Sequence, residues 1–181
     1  MTKNPDQLLQ DARQARTGHR LEDAYRIVRD AVDLCRRTGA PLELARALES
    51  LGQAERDRKD SQTALQHYQE AVAIYRTLGV PLRLAHAVRH VADIYRHEGH
   101  ADLAERCYQE ALDIYRNNPN TKQLDLANAI RGYAALKSDA GDRRQARLLW
   151  QEARDLYAAV DVKEGVAEST RRLALLIDSA R

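Results

Sequence analysis

Apolar residues in this 181-residue chain recur with helical spacing, not strand spacing. Over 81–97, Leu84, Val88, Val91, Ala92 and Tyr95 fall three or four residues apart or side by side, which puts them on one helical face. Leu103, Ala104, Tyr108, Ala111, Leu112 and Tyr115 do the same over 101–117. Gly99 separates the two stretches and accepts the left-handed geometry that stops a helix, while Asn118-Pro119-Asn120 closes the second. The same reading along the chain predicts about nine helices, at 5–16, 21–38, 41–57, 61–78, 81–97, 101–117, 122–139, 143–159 and 163–179. Pro41 and Pro81 each open a helix, where the missing N–H would have no partner anyway.

These helices come in pairs that repeat. Pro41-Leu42-Glu43-Leu44-Ala45-Arg46-Ala47 returns forty residues later as Pro81-Leu82-Arg83-Leu84-Ala85-His86-Ala87. Ala64, Tyr68, Ala71 and Tyr75 return as Ala104, Tyr108, Ala111 and Tyr115, then at an offset of forty-two as Ala146, Trp150, Ala153 and Tyr157. Small residues at 64, 104 and 146 suit positions where helix axes approach within about 8–10 Å. The aromatic series fill the wider gaps between layers. No unit buries its apolar stripe alone, so neighbours must stack.

Composition agrees with an all-α domain: 44% hydrophobic residues and 31% charged, eight Gly, four Pro, one Trp and no Phe. A net charge of +2 is too balanced for a general polyanion binder, which argues against nucleic acid. No apolar run approaches the ~18 residues of a membrane span. The opening Met-Thr-Lys-Asn-Pro-Asp-Gln has no apolar signal core, pointing to a cytoplasmic protein. Cys35 and Cys107 read as separate reduced thiols. No phosphate loop, nucleophile elbow or metalloprotease pair is present, so no enzyme and no cofactor is expected.

Leu48, Leu51-Gly52, Ala64, Tyr68 and Ala71 resemble the tetratricopeptide repeat pattern. So do Val88, Val91-Ala92, Tyr95, Gly99, Ala104, Tyr108 and Ala111, and Ile130, Tyr133-Ala134, Gly141, Ala146, Trp150 and Ala153. Leu8, Ala12, Ala24, Val28 and Ala31 form a weaker first unit. The commonest repeat is about 34 residues; this one is longer. It is similar to the long-helix variants of motor-cargo adaptors, polarity scaffolds and bacterial regulatory proteins. The resemblance implies a right-handed superhelical solenoid of antiparallel helix pairs. It would form a single domain over 1–181, with repeats near 5–40, 41–80, 81–120 and 121–162 and a capping helix at 163–179. It also implies a concave face lined by the first helix of each pair.

The sequence marks that face independently. Within the first helix at 81–97 the polar residues His86, Arg89, His90, Asp93, Arg96 and His97 form one narrow stripe. Equivalent stripes are Arg46, Glu49, Gln53, Arg56 and Asp57; Asn128, Arg131, Ser138 and Asp139; and Glu168, Arg171, Arg172 and Asp178. We expect the partner-binding groove to use Arg56, His86, Arg89, His90, Asp93, Arg96, His97, Asn128 and Arg131, with the arginines outside the packed stripe. Guanidinium groups suit an acidic peptide, and the histidines would add positive charge as pH falls towards about 6. Neutralisation of these arginines by Glu49, Asp57, Asp93 and Asp139 is the competing reading. His86, His90, Asp93 and His97 have metal-ligand chemistry, but one helix spreads them over three turns, so no metal is expected. A clamp for a C-terminal carboxylate fits poorly, because Glu49 and Gln53 stand where the resemblance implies Lys and Asn. Arg143, Arg144 and Arg147 read as a solvated helix face.

The function so read is a scaffold or adaptor that binds a peptide or helical segment of a protein partner. Two alternatives stay open: a regulatory peptide sensor whose superhelix changes conformation, and a scaffold that self-associates through its last helix, where Leu175 is exposed. The expected state is a monomer or weak homodimer, with no nucleic-acid or membrane partner.

Overall fold

The computed structural model describes residues 4–178, with side chains through Leu176. Nine helices occur among the described residues: α1 (Pro5–Thr17), α2 (Leu21–Thr38), α3 (Pro41–Asp57), α4 (Ser61–Leu78), α5 (Pro81–His97), α6 (Ala101–Arg116), α7 (Gln123–Asp139), α8 (Arg143–Ala159) and α9 (Lys163–Asp178). Their ends match the spacing-based reading to within a residue. Position 179, expected at the end of the last helix, lies outside the described residues. The fold class is the expected one, all-α, with a first and a second helix in each repeat and a half-repeat at α9.

Local chemistry sets the ends. Asn4, Asp60 and Asp142 cap α1, α4 and α8 by accepting hydrogen bonds from the backbone N–H of Gln7, Thr63 and Gln145. The turn inside each pair needs one left-handed residue. Gly99 and Gly141 supply it in the third and fourth pairs, but His19 and Lys59, at φ of 57° and 67°, do so in the first two. The longer offset of the fourth pair lies in the loop before α7. There Thr121 Oγ1 donates to the Tyr115 carbonyl at 2.8 Å and Asn118 Oδ1 accepts from Asn120 N–H at 3.0 Å.

The chain divides into two compact units, one ending at Ala87 and the other beginning at Val88, so the boundary falls inside α5. In the first unit, Val28, Ala31 and Val32 of α2 pack with Ala45, Leu48 and Leu51 of α3 and with Ala71 and Tyr75 of α4. In the second, Ala134 of α7, Ala146 and Trp150 of α8 and Leu173 of α9 form one cluster. Ala64, Ala104 and Ala146 are fully buried, and so are Tyr68, Tyr108 and Trp150. Glycine makes the closest approaches possible. A Cβ at Gly52 would stand 2.8 Å from Cε2 of Tyr68, and one at Gly132 would stand 2.7 Å from Cε1 of Tyr108. Helix interiors disfavour Gly, so these positions exist to seat rings. Among the described residues no helix is long and apolar enough to cross a membrane.

Candidate functional site: the polar face of the first helices

In the first unit the polar stripe is largely satisfied from within. Glu49 is buried, yet both of its oxygens are used: Tyr75 OH donates to Oε2 at 2.6 Å and His86 Nδ1 lies 2.8 Å from Oε1. Burial and the adjacent Glu49 carboxylate together push the Tyr75 phenol pKa far up, so it stays a donor. Gln53 donates to Asp57 at 2.8 Å, and Arg46 pairs with Asp6 of α1 at 2.7 Å. Arg56 is half-buried in the last turn of α3. His86, half-buried at the start of α5, is thus tied to α3.

The second unit repeats the device with different residues. Asp93 is buried on α5; its Oδ1 accepts from Tyr108 OH at 2.6 Å and its Oδ2 from Arg89 Nη1 at 2.9 Å. Burial, then the Asp93 charge, hold the Tyr108 phenol protonated. The second guanidinium arm of Arg89 lies 2.7 Å from His90 Nε2. Arginine can only donate, so that ring nitrogen is the acceptor. Arg96 is built alike: Nη1 donates to Asp139 at 2.9 Å, and Nη2 lies 3.1 Å from His97 Nε2. The competing reading of the sequence therefore holds for these two arginines, which carboxylates neutralise.

This corrects one expectation. Arg89 does not lie outside the packed stripe: it is 8% exposed, with its guanidinium held between Asp93 and His90.

Arg131 differs. It stands on α7 with its side chain 39% exposed, and its contact with Glu168 of α9 is a long 3.4 Å. Burial opposes its charge, but Tyr157, Glu168 and Asp93 around it outweigh that and raise its pKa. One turn earlier Asn128 accepts at Oδ1 from Tyr157 OH at 2.8 Å. That bond fixes the amide, and its NH₂ donors have no protein partner among the described residues. The pairs Arg96–Asp139 and Arg131–Glu168 link α5 to α7 and α7 to α9, so these first helices present one polar face. Asp178, also expected on it, has no described side chain.

His86 is turned to Glu49 and His97 to Arg96, whereas His90 and Asp93 share Arg89 and lie 3.7 Å apart. Among the described residues no group of three or more His, Cys, Asp or Glu side chains is placed to hold a metal ion. Sequence reading missed one cluster. Glu105 of α6 accepts from Lys137 Nζ at 2.6 Å and from Tyr133 OH at 2.8 Å, and these contacts pull its pKa down. Lys137, 9% exposed in the middle of an apolar stripe, was the available signal.

The chain superposes on BtubC (BKLC) from P. vanneervenii with a TM-score of 0.77 at 19% identity, covering 88% of this chain and 67% of that one. It superposes on a Rap protein complexed with Competence and Sporulation Factor with a TM-score of 0.63 at 17% identity, covering 97% of this chain and 52% of the other. This chain thus spans about half the length of that Rap protein. At such identities the likeness is one of fold. No curated protein sequence matches. The sequence profile of the tetratricopeptide repeat matches residues 12–77 and 83–159, most of the chain and both ring-seating glycines, Gly52 and Gly132. With that match and with helix pairs built around those seats, the chain belongs to the tetratricopeptide repeat family.

Proposed function

We infer that the first-helix face of the second unit binds a peptide or helical segment of a protein partner, anchored by Arg131 and Asn128. A tetratricopeptide repeat protein is a helical scaffold for protein interaction, and the finer reading rests on one contrast. Arg89 and Arg96 hold carboxylates at 2.9 Å, whereas Arg131 holds Glu168 at 3.4 Å and is the most exposed of the three. A partner carboxylate can take that place with two parallel hydrogen bonds. Asn128, oriented by Tyr157, offers amide donors to a main-chain carbonyl. Arg89, His90 and Asp93 act beneath them as positioning groups, with Arg96 and His97 at the flank. Arg56 and His86 carry the same stripe in the first unit. That a Rap protein of similar fold has been solved with Competence and Sporulation Factor supports ligand capture by this kind of scaffold.

Tagged protein retained on a resin and exposed to lysate of the native cell tests this reading. Arg131→Glu with Asn128→Ala should remove the captured partner, while Arg37→Glu on α2 should not. Equal capture by all three proteins would contradict it.

A further inference from the structure

α8 opens with charges of the wrong sign. The unpaired N–H groups of a helix N-terminus favour carboxylates there and disfavour cations. α2 accordingly opens with Glu22 and Asp23, and α6 with Asp102. α8 opens Arg143-Arg144, with Arg147 one turn on and no acidic residue in its first turn. The Asp142 cap offsets only part of this. Arg143 is engaged, donating to the Leu176 carbonyl. Arg144 and Arg147 are exposed and have no ion pair among the described residues. On other second helices Arg36 meets Glu70 and Arg116 meets Glu152, each at 2.9 Å, while Arg37 and Arg106, like Arg144 and Arg147, are exposed and have no ion pair among the described residues.

Beside them Leu148 is 57% exposed. Its counterparts in the earlier second helices are Arg106, Gln66 and Arg26, all polar. Arg144, Arg147, Leu148 and Gln151 lie at i, i+3, i+4 and i+7, on one face. An exposed apolar residue in a polar register works against solubility, and cations at a helix start work against stability. Nothing covers the first within the described fold, and the Asp142 cap offsets only part of the second. Local rules broken without internal compensation are expected where a protein meets something else.

We propose that this face of α8 is a second docking surface, for an acidic amphipathic segment of a protein partner. Its carboxylates would engage Arg144 and Arg147 and its apolar side chain would cover Leu148. Bound acids would also supply the charge that the α8 N-terminus lacks. Two unpaired arginines are too few to hold a nucleic-acid backbone, and one leucine offers too little apolar surface for a membrane interface. This surface is carried by a second helix and does not depend on the Arg131 reading.

The probes are fluorescein-labelled peptides of repeated Glu-Glu-Leu-Leu, of polyglutamate and of repeated Lys-Lys-Leu-Leu, together with phosphatidylserine–phosphatidylcholine vesicles. The Glu-Leu peptide should bind best. Arg144→Glu with Arg147→Glu should weaken it at least tenfold, Leu148→Gln several-fold, and Arg37→Glu on α2 not at all. The double variant, free of peptide, should melt at a higher temperature than the parent, because its α8 start is now correctly charged. The proposal is overturned by any of the following: no peptide binding, equal binding of polyglutamate, binding of vesicles alone, an equal loss on Arg37→Glu, or a lowered melting temperature of the double variant.

Discussion

The phenol of Tyr108 on α6 donates a 2.6 Å hydrogen bond to the buried carboxylate of Asp93 on α5, and the same carboxylate holds Arg89. One aromatic side chain thus packs the pair and fixes the polar stripe above it. Tyr75 does this for Glu49, and Tyr157 does it for Asn128.

Tyr108→Phe keeps the ring and removes the donor. Hydrogen bonds to charged groups contribute about 1.5–3 kcal/mol, and a buried carboxylate left short of a donor adds to the loss. For a chain of this size each kcal/mol moves the melting temperature by roughly 2–4 °C. Calorimetry should show a fall of several degrees with helicity at 20 °C unchanged. An unaltered melting temperature would mean that the bond contributes no net stability.

Gly52→Ala sets two effects of opposite sign against each other. Helix propensity favours Ala over Gly by about 1 kcal/mol. The new Cβ, however, would stand 2.8 Å from the buried Tyr68 ring, and overpacking costs about 1–3 kcal/mol. Destabilisation in denaturant titration is therefore expected. Stabilisation would show that the Tyr68 ring shifts freely.

Lys59→Gly should raise stability by about 1 kcal/mol. Lys59 sits at φ 67°, a left-handed conformation that costs a residue with Cβ about that much. Gly99 fills the equivalent turn forty residues later, so the geometry tolerates glycine. A chemical-denaturation midpoint lower than the parent's would contradict this.

Burial lowers the pKa of His67 below its ordinary value. A group with a depressed folded pKa is protonated more readily in the unfolded chain. Its contribution is therefore complete above the ordinary value of about 6.5 and is lost as pH falls through it. Melting temperatures recorded between pH 7.5 and 5.5 should decline less steeply for His67→Gln than for the parent. Parallel curves would remove His67 as a cause.

Helix positions were legible because apolar spacing and the glycine and proline punctuation agree with each other along the whole chain. The paired small and aromatic residues, such as Ala104 with Tyr108, made the repeat legible as well. The polar face was legible only as a stripe. Spacing places Arg89 and Arg131 on equivalent positions, yet one is buried and the other half-open. The difference comes from partners: Asp93, itself held by Tyr108 of the next helix, takes Arg89 at 2.9 Å, whereas Glu168 only touches Arg131 at 3.4 Å. Those tertiary partners leave no periodic mark. The pairing of Lys137 with Glu105 escaped notice for the same reason: the two are thirty-two residues apart, and only Lys137, a cation within an apolar stripe, stood out.

A protein partner held on α7 by Asn128 and Arg131 would pass Leu124, one turn before Asn128 and 40% exposed. A photo-crosslinking amino acid installed at position 124, and separately at position 37 on α2, is irradiated in the native cell. A discrete crosslinked protein is expected from position 124, lost when Arg131→Glu is added, and none from position 37. A crosslink from position 37 with none from position 124 would contradict partner binding on this face.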